Sequence, residues 1–128
     1  MTTLERNILD SYLQTAQWVT CDSTDKVKGF TKLAKQIALE DCKKFIEAVR
    51  KEFTNEESEK LLSIEGNDLT SLVGHDLHLT RNRHGAGFWD KEIVYNEIAE
   101  NAGERLTKLA QDLGTSEAYI YRGWLNFQ

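Results

Sequence analysis

The chain has 128 residues, 40% of them hydrophobic and 29% charged, with a net charge of −5 and a pI near 5.2. That length buries one hydrophobic core, so a single domain over 1–128 is expected, and these proportions exclude wholesale disorder. No apolar run approaches the roughly 18 residues of a membrane span, so no membrane partner is expected. The acidic balance also disfavours general nucleic-acid binding, because phosphate neutralisation needs a basic surface.

In chain order, Leu4, Ile8, Leu9, Tyr12, Leu13 and Ala16 trace one face of a helix from Thr2 to about Thr20, with Thr2 and Glu5 spaced as a capping box. Cys21 to Asp25 is a polar break. A second helix carries Leu33, Ile37, Ala38, Cys42, Phe45, Ile46, Val49 and Phe53 on one side and lysines on the other. Thr54 and Glu57 repeat the capping-box spacing at the start of a short third helix that runs to Leu62. Glu65 to Asp68 is a loop, and Leu69 to Val73 one further helical turn closed by Gly74.

From Asp76 to Arg81 the apolar residues alternate, which predicts a half-buried strand. Asn82 to Gly87 tolerates positive φ, and Phe88-Trp89 suits a returning strand, so a β-hairpin is expected there. Val94, Ile98, Ala102, Leu106, Leu109, Ala110 and Leu113 predict one long helix ended by Gly114. The tail from Ala118 to Phe127 has β character with a turn at Arg122-Gly123. The fold class is therefore α+β, a small antiparallel sheet of hairpin and C-terminal strands packed on three to four helices.

Charge is unevenly placed. Lys26 to Lys51 sums to +5 and Asn55 to Asp76 to −5, a dipolar surface suited to docking a partner, or two solvated helix faces. Two cysteines, Cys21 and Cys42, are too few for a disulfide scaffold or a thiolate zinc site, and Cys42 falls within the apolar stripe. The start at Met1 shows neither a basic stretch nor an apolar signal core, so a reducing cytoplasm is the expected setting.

All three histidines lie within the ten residues from His75 to His84. The segment Gly74-His75-Asp76-Leu77-His78-Leu79-Thr80-Arg81-Asn82, followed by His84-Gly85-Ala86-Gly87-Phe88-Trp89-Asp90, resembles the signature of a family of small bacteriophage and prophage proteins. The similarity extends to Tyr12–Trp18, Glu40–Phe45 and Gly103–Thr107, and so covers most of the chain. The chain departs from the family's pattern at Leu77-His78, where the family has Phe-Trp, in a longer Lys91–Glu100 stretch, and at its Arg122-Gly123-Trp124 ending. The resemblance implies a phage origin and a role inside the infected cell, and it names no reaction.

This segment is open to three readings. Arg81 and Arg83 around Asn82, with the Gly85–Gly87 backbone as an anion nest and Trp89 as a stacking surface, would suit a nucleotide or other anionic small molecule. His75, His78, His84 and Asp90 would suit a metal-dependent hydrolase, although residues three apart on a strand face opposite ways. Alternatively these groups serve the turn, with Arg81 pairing to Asp90 and Phe88 and Trp89 entering the core. No nucleophile elbow or phosphate-binding lysine loop is present, so no catalytic residue, cofactor or metal is assigned. The leading expectation is a non-enzymatic accessory protein that binds a host protein in the host cytoplasm. Its contacts are expected at His78, Arg81, Asn82, Arg83, His84, Gly85, Gly87, Trp89 and Asp90 of the hairpin.

Overall fold

A computed structural model describes residues 1–128. Its elements are α1 (Thr3–Thr20), α2 (Lys32–Glu52), α3 (Asn55–Leu62), α4 (Leu72–Arg81), a 3₁₀ turn (Phe88–Lys91), α5 (Glu92–Asn96), α6 (Ala102–Asp112), β1 (Ala118–Tyr121) and β2 (Trp124–Phe127). The class is α+β, with helices around one core and a two-stranded antiparallel sheet at its edge. No helix is long and apolar enough to cross a membrane.

The local signals for the first three helices act as expected. Thr2 and Glu5 exchange hydrogen bonds of 3.1 and 2.8 Å, and Thr54 and Glu57 repeat the exchange at 3.1 and 3.0 Å, which satisfies N–H groups that each helix start leaves open. Cys42 lies fully inside the α2 stripe, and burial pushes its thiol pKa up. The tail forms the expected hairpin, with Arg122 and Gly123 both at positive φ, the two-residue turn whose twist matches that of the strands.

The central hairpin does not form. Ser71 caps α4 by accepting from the Gly74 N–H at 3.1 Å, and the helix continues through Gly74 to Arg81. A side chain at Gly74 would run into the Ile8 carbonyl and lie 2.9 Å from the Ser11 Cβ, so glycine sets how closely α4 approaches α1. The strand expectation fails because α4 is buried on all sides from Asp76 onward. From Asp76 to Arg81 every residue is buried, polar ones included, so no solvent face exists to mark the helical period, and Leu77 and Leu79 imitate alternation. The stretch expected as a returning strand becomes the 3₁₀ turn, which drops Phe88 into the core against Phe45, ring centroids 5.5 Å apart. Gly87 enables this by passing close over Thr80, whose hydroxyl accepts from the Phe88 N–H at 3.1 Å.

The long helix expected from Val94 to Leu113 is broken into α5 and α6. Asn101 takes a left-handed conformation between them, which asparagine tolerates better than most residues. Tyr95, Ala99, Ala102, Leu106 and Ala110 are all buried, and their spacing is one that an unbroken helix would also place on a single face, so the apolar pattern carries no sign of the break.

Candidate functional site

The residues of the histidine-rich segment mostly bind one another's neighbours. Arg81 is 3% exposed, and its guanidinium donates to Asp41 at 2.6 Å, to the Tyr12 hydroxyl at 3.2 Å, and to the carbonyls of Gly114 and Leu113 at 2.8 and 3.4 Å. One side chain thus ties α4 to α1, to α2 and to the end of α6. Asn82 accepts from the Ser116 N–H at 2.8 Å and donates to the His78 carbonyl at 3.1 Å, anchoring the chain that leads into β1. Asp76, fully buried, accepts from Lys91 at 2.8 Å and from the Tyr95 hydroxyl at 2.6 Å. Burial raises its pKa above the ordinary carboxylate value, and the Lys91 and Tyr95 bonds offset only part of that.

These contacts correct the sequence-based assignment. His78, Arg81, Asn82 and Gly87 are buried: His78 and Arg81 point inward from the helix that replaces the hairpin, Asn82 is taken up by its bonds to His78 and Ser116, and Gly87 is packed over Thr80. Arg81 pairs with Asp41, not with Asp90, whose carboxylate instead accepts from the Gly87 N–H at 2.8 Å. Arg83, His84, Gly85, Trp89 and Asp90 are exposed, and His84 sits 2.9 Å from Glu117. The anion site loses its central cation, since Arg81 is buried and committed to Asp41, Tyr12 and two carbonyls.

The histidines also diverge. His78 lies between the edge of Tyr12 and the face of His84, at centroid distances of 5.1 and 6.0 Å, and neither of its ring nitrogens has a hydrogen-bond partner. Burial, then the positive charge of neighbouring His84, Arg81 and His75, holds its pKa down at about 3. His75 turns away toward α1. No group of three or more His, Cys, Asp or Glu side chains is placed to hold a metal ion, which leaves the metal-hydrolase chemistry without a ligand set.

His75 reaches a recess formed with α1 and the loop before α4. A cleft of about 260 Å³ is lined by Ser11, Gln14, Thr15, Trp18, Asp68, Thr70 and His75. It shares Ser11, Gln14 and Thr70 with a neighbouring cleft of about 440 Å³ that reaches Leu4, Asp10, Glu65 and Leu69. A third, of about 270 Å³, lies across Asp68 and Thr70. Together they make a groove along one side of α1.

Two local features build it. The Ser11 hydroxyl donates to the Ser71 carbonyl at 2.6 Å and pins α1 to the start of α4. The loop folds back on itself through an antiparallel bridge between Glu65 and Ser71 and carries Leu69 at its tip, 78% exposed with φ +65. A leucine in the left-handed region is strained, and such strain persists only where the surroundings over-determine it.

Hydrogen bonding selects the tautomer of neutral His75. The Thr15 hydroxyl has one proton and donates it to the Ser11 carbonyl at 2.9 Å, so at 2.9 Å from His75 Nδ1 it acts as acceptor. Neutral His75 therefore carries its proton on Nδ1 and leaves Nε2 as a lone pair with no protein partner. Its ring is tilted by 31° against that of Trp18, centroids 6.1 Å apart, and the indole is 68% exposed. Asp68 accepts from the hydroxyl and N–H of Thr70 at 2.7 and 3.2 Å, and these bonds hold its carboxyl below the ordinary range, so it is ionised at neutral pH. Asp10, Glu65 and Asp68 border the groove, and no lysine or arginine lines any part of it.

The groove lies outside the sequence-based site, apart from His75, expected there only as a metal ligand, and the acidic Asn55–Asp76 stretch, expected as a docking surface. The available signal was Trp18, a large apolar residue off the buried stripe of α1. The chain matches no family model, no curated protein and no solved structure.

Proposed function

We propose that the protein is a phage-encoded, non-enzymatic binding module that acts in the host cytoplasm by docking a basic segment of a host protein in the groove between α1 and the 63–71 loop. The observation that carries this reading is the pairing of an exposed Trp18, backed by His75, with a rim of Asp10, Glu65 and Asp68 free of any cation. An indole face attracts an ammonium or guanidinium group, and a carboxylate beside it supplies the counter-charge. The same field repels phosphate, which favours a basic peptide over a nucleotide.

The experiment is a ¹H–¹⁵N NMR titration of the labelled chain with tetralysine and tetra-arginine, with tetraglutamate as control. Shifts concentrated at Gln14, the Trp18 indole, Thr70 and His75, weakened by Asp68→Asn and by salt, support the reading. Absent shifts, shifts centred on another face, or an equal response to tetraglutamate overturn it. Captured from host cells, the bound protein should be released by the same basic peptide and lost with Trp18→Ala.

A further inference from the structure

The C-terminal hairpin presents a surface that the groove does not use. Its register pairs Ala118 with Phe127, Tyr119 with Asn126, Ile120 with Leu125 and Tyr121 with Trp124. Directly paired residues share a face of the sheet. Leu125 and Phe127 are buried, so their partners Ala118 and Ile120 belong to the inner face, and Tyr119, Tyr121 and Trp124 together occupy the outer one. Those three rings are 42%, 58% and 39% exposed. Tyr119 and Tyr121, two residues apart on one strand, stand about 7 Å from each other, room for a separate flat ring on each.

The rim of this face is basic. The Arg122 guanidinium sits 5.2 Å from the Tyr121 ring centroid, and the stem of Lys28 runs beside the turn at Gly123. On the far side of β2 the segment around Phe30 pairs with Leu125, and the Thr31 hydroxyl donates to Asn126 at 3.1 Å, which brings the start of α2 with Lys32 to the sheet. The two stretches that meet here, Lys26 to Leu39 and Ala118 to Gln128, contain four lysines and one arginine and no acidic residue, in a chain whose net charge is −5. The overall acidity that argues against nucleic-acid binding thus does not describe this corner of the molecule.

We propose that the outer face of the hairpin binds a short single-stranded nucleic-acid segment, with bases stacking on Tyr119, Tyr121 and Trp124 and phosphates meeting Arg122, Lys28 and Lys32. Stacking rings in a positively charged surround is the pattern by which single strands are held without sequence readout. A duplex offers no unstacked bases to these rings and is expected to bind more weakly. DNA and RNA share this chemistry, so the ribose is left to the test.

The test uses fluorescein-labelled dT12 and rU12 and follows anisotropy with the full chain at 50 and 200 mM salt. Tyr121→Ala should weaken binding by about tenfold, Tyr121→Phe should retain it because the ring remains, and Lys28→Glu should weaken it while flattening the salt dependence. Preference for one oligonucleotide identifies the sugar. No binding of either at 50 mM salt, or binding indifferent to Tyr121→Ala and Lys28→Glu, overturns the proposal. So does concentration-dependent self-association that Tyr121→Ala abolishes, which would make the face a contact between copies of the chain. Because Tyr121 and Lys28 are exposed, their replacement leaves the fold intact, and circular dichroism verifies it.

Discussion

Arg81 on α4 and Asp41 on α2, forty residues apart in sequence, meet at 2.6 Å with the arginine 3% exposed and the aspartate 18%. The same guanidinium supplies the donors for two carbonyls at the end of α6. Removing it leaves a partly buried carboxylate and two carbonyls without their donor. Arg81→Ala is expected to cost about 3–5 kcal/mol, and Arg81→Lys a large part of that, because an ammonium cannot reproduce the planar fork. Urea unfolding followed by circular dichroism measures both. A loss below about 1 kcal/mol would show that Arg81 behaves as a surface ion pair.

His78 predicts a dependence on pH. Its folded pKa of about 3 lies below the ordinary 6.5, so on acidification the unfolded chain takes up a proton that the fold refuses. The sign follows: this contribution to stability is intact above pH 6.5 and is lost as pH falls from 6.5 toward 3. The slope attributable to the one group approaches roughly 1.4 kcal/mol per pH unit. His78→Phe removes it, and at pH 7 the variant should be no less stable than the parent, because two buried nitrogens without partners give way to carbon. The measurement is the difference between variant and parent in urea midpoint from pH 4 to 7. A difference that does not grow on acidification excludes a neutral, buried His78.

Gly74 predicts a packing cost. Any Cβ there meets the Ile8 backbone carbonyl and lies 3.0 Å from the Tyr12 nitrogen, and backbone atoms of a helix cannot step aside alone. Gly74→Ala should therefore destabilise by about 1–3 kcal/mol, against the small gain that alanine gives inside an unconstrained helix. Thermal unfolding distinguishes the two signs.

What the sequence makes legible is whatever is set within a few residues: the Thr2–Glu5 and Thr54–Glu57 caps, the amphipathic stripes of α1 and α2, and the Arg122-Gly123 turn. What it conceals is set by distant partners. Asp76, His78 and Arg81 look like surface chemistry because buried polar residues are uncommon, yet Lys91, Tyr95, Tyr12 and Asp41 arrive from four other places to enclose or satisfy them. The groove is hidden for the same reason, since Trp18 and Asp68 become neighbours only once Ser11 bonds to Ser71 and Gly74 lets α4 close on α1.

Leu69 sets stability against function. Its backbone at φ +65 is costly for a branched side chain, and the exposed leucyl group gains nothing from burial within the chain. Leu69→Gly, or Leu69→Asn, relieves the strain and is expected to stabilise the protein by about 0.5–1 kcal/mol. If the leucine is kept at the loop tip to contact a partner, the same variants should weaken tetra-arginine binding in the groove several-fold while raising the urea midpoint. Gly66 N–H donates to the Thr70 carbonyl at 2.8 Å and so maintains the loop shape whichever residue stands at 69. A gain in stability with unchanged peptide affinity would detach Leu69 from the docking surface, and a loss of stability would mean that the loop holds position 69 by side-chain contacts instead of by its backbone.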